Sequence, residues 1–302
     1  MGKAIDDGGP RLALYGAVAE QTAGLVIRRY STSFRLAARL LGPVVRQPIE
    51  NIYALVRVAD EIVDGGADEA GLDRAVAARL LDALQRETEQ AISEGYSSNL
   101  VVHAFARTAR AAGFGAELTG PFFASMRMDL SATVHDRASF EKYVYGSAEV
   151  VGLMCLRVFV RDTDRVYSDA ELAALETGAR ALGSAFQKVN FLRDLAADLT
   201  ALGRSYFPGI DVGGITEAQK TALLDDIDRE LGLAAETIPL LPSSSRRAVA
   251  TARRLFAELS RRLRATPAGS LLTTRVRVPD PVKLGIAVGA WNTRADDKGF
   301  GR

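Results

Sequence analysis

Apolar residues recur along this chain with helical spacing, and no run of alternating β-branched residues is long enough to argue a sheet. The pattern predicts helices over 12–29, 34–41, 47–64, 68–94, 97–112, 114–130, 139–160, 170–202, 216–231, 233–241, 244–264 and 281–293. Gly42-Pro43, Gly65-Gly66 and Gly113 punctuate them, Pro48 is placed in the first turn of its helix, and Pro121 is expected to kink another. The first dozen residues, with Asp6-Asp7-Gly8-Gly9-Pro10, read as a disordered tail, residues 13–294 as one helical domain and 295–302 as a frayed end. The fold class is all-α.

Two of these helices carry unusual polar positions. No Pro occurs from Ser168 to Leu202, and good helix formers dominate. At about 100° per residue, Gln187, Asn190, Asp194 and Asp198 fall within about 80° of one another, while Leu192, Leu195 and Leu199 point the other way. Gly183 and Phe186 share the side of this oxygen ladder, and small or aromatic neighbours line cavities more often than they meet water. An amide oxygen and carboxylates one turn apart suit a hard divalent cation such as Mg²⁺; the alternative is the solvated face of an amphipathic helix.

Residues 47–64 form a second acidic helix that is apolar nearly all round. Ile49, Ile52, Tyr53 and Val56 flank the side of Asp60 and Asp64, and Leu55, Val58 and Ile62 cover the other, which is the pattern of a buried helix. Two carboxylates held at i and i+4 in a low-dielectric interior are costly unless a cation or a donor compensates them. Arg57, one turn earlier, supplies one positive charge, and a local Arg57–Asp60 ion pair accounts for Asp60 alone. Two acidic helices, each with its arginine, facing one cavity make a site for Mg²⁺ and a polyphosphate.

Asp60-Glu61-Ile62-Val63-Asp64 resembles the first aspartate-rich motif of the squalene and phytoene synthases, and Asn190-Phe191-Leu192-Arg193-Asp194-Leu195-Ala196-Ala197-Asp198 resembles the second. The likeness spans about Ala23 to Leu284 and includes Ser31-Thr32-Ser33-Phe34, Met128-Asp129-Leu130, Tyr143-Val144-Tyr145-Gly146 and Val151-Gly152-Leu153. Gly203-Arg204-Ser205-Tyr206-Phe207-Pro208 and Arg275-Val276-Arg277-Val278-Pro279 make it most similar to the bacterial phytoene synthases. The resemblance implies the isoprenoid synthase fold, a single helical bundle around a central cavity. It also implies head-to-head condensation of two geranylgeranyl diphosphates to phytoene, in carotenoid biosynthesis. Alternatives are a farnesyl-using synthase of dehydrosqualene, presqualene diphosphate or squalene, and a non-catalytic assembly factor.

Position by position, the resemblance implies that Asp60, Asp64, Asn190, Asp194 and Asp198 hold Mg²⁺, for which Mn²⁺ can stand in, and that no NADPH is used. Arg57, Arg193 and Arg204 match diphosphate-binding positions, Gln187 and Tyr206 stand beside the phosphates, and Ser33 lies at the diphosphate end of the first substrate site. Tyr143 matches a tyrosine near the carbocation, with core packing as its competitor, and Arg277 or Arg275 closes the site from the C-terminal end. Arg35 replaces an aromatic residue of many relatives, and diphosphate binding and solvent exposure both stay open for it. Val151, Leu153, Met154, Leu156, Phe122, Phe123 and Met126 are candidates for a tunnel wall, with ordinary core as the competing reading.

Composition adds constraints. A net charge of +1 gives no sign of a nucleic-acid partner, and the arginines at 253, 254, 261, 262 and 264 read as an outer helix face. Cys155 is the only cysteine, which excludes an internal disulfide and fits a reducing cytoplasm. His103 and His135 lack a zinc-ligand pattern. No uncharged apolar stretch of about 18 residues offers a membrane span. An apolar product leaves into lipid, so peripheral contact with the inner face of the membrane is expected. Residues 282–291 are a candidate edge for it, against burial in the bundle.

Overall fold

The computed structural model describes residues 9–131, 134–200, 206–210 and 214–292, the side chains of 32–33, 197–200 and 290–292 excepted. Its helices run α1 (Pro10–Tyr30), α2 (Thr32–Ala38), α3 (Pro43–Asp64), α4 (Gly66–Glu69), α5 (Arg74–Glu94), α6 (Leu100–Ala112), α7 (Ala116–Ser131), α8 (Arg137–Val144), α9 (Val150–Arg161), α10 (Asp169–Thr200), α11 (Glu217–Thr237), α12 (Ser243–Ala265) and α13 (Asp280–Asn292). No β-strand occurs among the described residues.

Several boundaries differ from the sequence expectation for identifiable reasons. α1 starts at Pro10, since a proline lacking its N–H fits a first helical position. α3 starts at Pro43 by the same rule, which leaves Pro48 inside the helix. The helix expected over 68–94 is divided by Gly71, whose φ of 76° is left-handed, and by Asp73, whose side chain accepts the Val76 N–H at 2.8 Å and caps α5. The two helices expected at 216–231 and 233–241 are one α11. Packing of Leu231 and Ala234 carries the helix through Gly232, whose intrinsic penalty is only about 1 kcal/mol. α8 and α9 form one run interrupted by a π-helical turn at Tyr145–Glu149. That run, Arg137–Arg161, is long and apolar enough to cross a membrane, yet Val144, Val150, Met154, Leu156 and Phe159 are buried inside the protein.

Two apolar cores flank α10. One joins α1, α3, α5, α6, α7 and α9 around Ile52, Leu55, Leu81, Phe105, Phe122 and Phe123; the other joins α8, α10, α11 and α12 around Leu192, Phe207, Leu224, Ile227 and Leu263. α10 packs on α9, α11 and α12. Its rotation is pinned on the α11 side, where Lys188 Nζ donates to Asp226 at 2.5 Å and Glu230 at 2.7 Å, and Ser184 Oγ donates to Glu230 at 2.9 Å. Leu192 and Leu195 are buried on the same flank, so Gly183, Phe186, Gln187, Asn190 and Asp194 turn inward.

Close helix approach at the π-helical turn depends on missing side chains. A Cβ on Gly183 would lie 2.5 Å from the Ala148 carbonyl oxygen, and one on Gly152 would lie 2.5 Å from that of Ala179. Gly183→Ala is expected to destabilise the fold by about 1–3 kcal/mol through this overpacking. Gly232→Ala, with nothing within 4 Å of the new methyl group, is expected to stabilise α11 by about 0.5–1 kcal/mol. Urea unfolding of the two variants beside the wild type measures both signs.

Candidate active site

The inward faces of α3 and α10 bound two connected spaces. The first is a polar chamber of about 670 Å³ lined by Arg57, Asp60, Asp64, Tyr143, Gln187, Asn190, Arg193, Asp194, Tyr206 and Arg277, with Arg275 and Lys283 at its C-terminal side. The second is an apolar tunnel of about 320 Å³ between α3, α9, α10 and α12. Phe34, Tyr53, Gln187 and Asn190 border both. Leu175 lines the tunnel and Asp194 the chamber, so at 1.5 Å rise the two extend about 28 Å along α10.

Each described acidic motif is held by arginine. Arg57 donates to Asp60 at 2.5 Å and to Glu61, and its guanidinium lies 4.5 Å from the Tyr30 ring centroid. Its Nε is buried with no hydrogen-bond partner among the described residues. Asp194 accepts a forked pair from Arg193, at 3.0 and 2.5 Å, and pairs with Arg275 Nε at 2.7 Å. The local Arg57–Asp60 pair therefore exists. It does not return Asp60 to ordinary behaviour: burial first, then the charges of Asp64 and Glu61, push its carboxyl up to about 6 against the pull of Arg57.

The chamber floor is aromatic. Asp129, 3 % exposed, accepts the Tyr143 hydroxyl on one carboxylate oxygen at 2.8 Å and the Tyr206 hydroxyl on the other at 3.1 Å. Burial, together with the neighbouring Asp129, raises the Tyr143 phenol well above its usual range. The Tyr206 ring stacks on Phe191 at 4.1 Å and on His135 at 5.8 Å. Burial keeps the imidazole of His135 below its usual pKa. Asp129 and His135 are the site's additions to the sequence reading. The signal for Asp129 was its place in the Met128-Asp129-Leu130 segment of the resemblance; the other carboxylate of α7, Glu117, lies in its first turn.

At the neck between chamber and tunnel, Phe34, Tyr53, Phe186 and Phe256 form a collar, with Phe186 and Phe256 stacked at 3.7 Å and Phe34 about equidistant from the other three, at 6.0–6.1 Å. Beyond it the tunnel walls include Ala37, Ala38, Val151, Cys155, Leu156, Gly178, Ala179, Ala234 and Ala248. Of the wall candidates named from sequence, Val151 and Leu156 line it. Met154, Phe122, Phe123 and Met126 are core, because α7 and the opposite face of α9 pack away from the tunnel, and Leu153 packs against that core. Burial pushes the Cys155 thiol up to about 12. Arg35 lines neither space. The side chains of Ser33 and Asp198, and all of Arg204, lie outside the described residues.

Residues 27–281 match the squalene/phytoene synthase family profile. The 15-cis-phytoene synthase of Paracoccus sp. is 28% identical over 292 residues, covering 90% of each chain. Phytoene synthase 3, chloroplastic, of Zea mays is 32% identical over 220 residues, and the presqualene diphosphate synthase of Sinorhizobium fredii is 30% identical over 203. The match covers 47% of the maize enzyme and 65% of the Sinorhizobium one, so the chain spans about half the length of the plant relative. Among solved structures, a dehydrosqualene synthase in complex with ligand superposes with a TM-score of 0.71 at 22% identity, over 94% of this chain and 97% of that one. Squalene synthase HpnC from Alicyclobacillus acidocaldarius follows at 0.69 and 20%, over 84% and 97%. The bundle is thus the isoprenoid synthase fold, and the chain belongs to the squalene/phytoene synthase family.

Proposed function

We propose that this protein is a phytoene synthase, joining two geranylgeranyl diphosphates head to head in two steps. The observation that carries the reading is the junction of a polar chamber bearing both acidic motifs with an apolar tunnel, through an aromatic collar. An allylic diphosphate fits this division: its head belongs in the chamber, its chain in the tunnel and its reacting carbon at the neck. A similarity to bacterial phytoene synthases over nine-tenths of the chain supports the longer substrate. So do the small side chains of Ala37, Ala38, Gly178, Ala234 and Ala248 along the tunnel.

The donor set suits Mg²⁺. Asp60, Asp64 and Asp194 are carboxylate donors on one chamber and Asn190 adds an amide oxygen; Asp198 belongs to the same motif. The ion, when bound, would supply Lewis-acid charge that favours departure of diphosphate. The arginines do the complementary work. Arg57, Arg193 and Arg275 neutralise the carboxylates in the free protein, and when a diphosphate enters with its cations each can exchange a carboxylate for phosphate oxygens. Cation and diphosphate then bind better together than either does alone, since only the pair leaves every charge matched.

As the first substrate loses diphosphate, positive charge develops on its allylic carbon beside the collar, where ring faces attract it and water is excluded. The double bond of the second substrate attacks, a proton is lost and a cyclopropylcarbinyl diphosphate results. Loss of its diphosphate, rearrangement and loss of a second proton give the central double bond, so no hydride donor is required. Tyr143 and Tyr206, tethered to Asp129, add two further ring faces to the chamber. Peripheral contact with a membrane completes the proposal, because the hydrocarbon product is insoluble in water.

Incubation with geranylgeranyl or farnesyl diphosphate in detergent and Mg²⁺ is expected to yield phytoene from the former without NADPH, and none with EDTA. Mass spectrometry identifies the product. A hydrocarbon from farnesyl diphosphate alone would move the substrate to the shorter chain, and no product from either would reject an enzyme. Asp64→Asn and Asp194→Asn are each expected to lower turnover by more than about 100-fold, beyond the usual loss of an outer-shell partner, with an unchanged circular dichroism spectrum.

Asp60 gives a test by pH. Its folded value lies above the unfolded 3.8, so its stabilising contribution is present below about pH 3.8 and is lost as pH rises through about 6. In cation-free protein Asp60→Asn is therefore expected to raise the melting temperature at pH 7 and to leave it unchanged at pH 4. At subsaturating Mg²⁺, turnover of the wild type is expected to fall as pH is lowered, and added Mg²⁺ to shift the fall to lower pH, because protons compete with the cation for Asp60.

A further inference from the structure

The outward face of α13 is apolar where a surface helix is ordinarily polar. Pro281, Leu284, Gly285, Val288 and Gly289, at i, i+3, i+4, i+7 and i+8, are all exposed, Leu284 at 59% and Val288 at 50%. The opposite flank, with Ala287 buried, faces the bundle, where α13 packs on α12 and α2. Of the 282–291 stretch expected to be either an exposed edge or buried core, residues 282–289 are both, divided by helix face. No charged residue follows Lys283 before the helix ends at Asn292, and Lys283 engages Asp280 at 3.0 Å.

One neighbour of this ridge is basic, since α13 packs on α2. Residues 21–49, which supply the end of α1 and all of α2, contain five arginines and no acidic residue. Arg28, Arg29 and Arg39 of that stretch are exposed, as is Tyr30 at 53%. Arg275 and Arg277, just before α13, and Lys283 within it line the polar chamber. An apolar ridge with a cationic border beside the mouth of a lipid-binding cavity matches the chemistry of an anionic bilayer, apolar below and negative at its surface.

We infer that the exposed face of α13, bordered by α2 and its arginines, is a docking surface for an anionic lipid membrane, set so that the chamber α13 helps to line opens beside the bilayer. The inference deepens the proposed function and rests on it for the choice of a lipid surface over another apolar partner. Leu284 and Val288 would sink among the acyl chains, and the arginines would meet phosphate headgroups. Neither Leu284 nor Val288 lines the chamber or the tunnel.

The test is flotation of the full chain, without substrate, on vesicles of phosphatidylcholine alone or mixed with phosphatidylglycerol. Wild-type protein is expected to float with the mixed vesicles, less so at high salt, and weakly with phosphatidylcholine. Trp291 is the chain's only tryptophan and belongs to α13, so brominated lipid is expected to quench the fluorescence on binding. Leu284→Asp with Val288→Asp is expected to weaken binding at least about tenfold, the worth of burying one such side chain, while turnover of detergent-dispersed substrate is unchanged. Equal flotation of wild type and double variant, or no flotation of either, overturns the inference. So does a wild-type dimer that the double variant converts to monomer without vesicle binding, which assigns the face to a second copy. Flotation without any hydrocarbon product would reject the proposed reaction and leave the docking surface standing; product without flotation does the reverse.

Discussion

The rotation of one helix decides what this protein can bind. α10 carries apolar residues, carboxylates and a lysine in a single long run, and a turn of about 100° would send Asp194 into an apolar core. Lys188 forbids that turn. Placed between Asp226 and Glu230 with only 11% of its side chain exposed, it would become an unmatched buried charge on rotating away, at a cost of about 3–5 kcal/mol. The ion pair contributes little net stability against an apolar replacement. Its effect is directional, because it fixes which flank of α10 meets α11 and therefore which flank faces the cavity.

That orientation creates an electrostatic gradient along a single helix. Toward its C-terminal end the inner flank offers Asn190 and Asp194, opposed by Asp60 and Asp64 on α3. Toward its N-terminal end the same flank is Gly178, Ala179, Leu182 and Gly183, and the wall is hydrocarbon. Highly charged and uncharged parts of one amphiphile can thus be bound by one element without a lid between them. Only the ring collar at Phe34, Tyr53, Phe186 and Phe256 separates the two environments. Arginine pairing makes the charged end tolerable in the free protein, and the raised value of Asp60 measures how incomplete that relief is.

The acidic ladder of α10 was legible because a 3.6-residue period places Gln187, Asn190 and Asp194 on one flank whatever surrounds the helix. The burial of α3 was legible for the same reason. Helix ends were less so: the choice between Pro43 and Pro48 depends on whether Gly42 caps the helix, and both prolines satisfy the local rule. The tethering of Tyr206 to Asp129 joins residues 77 apart and has no periodic trace. Tunnel walls were the least legible, since Val151 and Met154 are equally apolar and differ only in which neighbour the fold gives them.

Cys155 shows how chemically quiet such a tunnel must be. In the reaction proposed, an electrophilic carbon forms within reach of its walls, and a sulfur anion there would capture it as a thioether and poison the protein with its own substrate. Burial among apolar side chains raises the thiol's value to about 12, so at physiological pH the sulfur keeps its proton and its lone pairs stay weakly reactive. The same apolar surroundings that admit an isoprenoid chain thereby protect the thiol from alkylation.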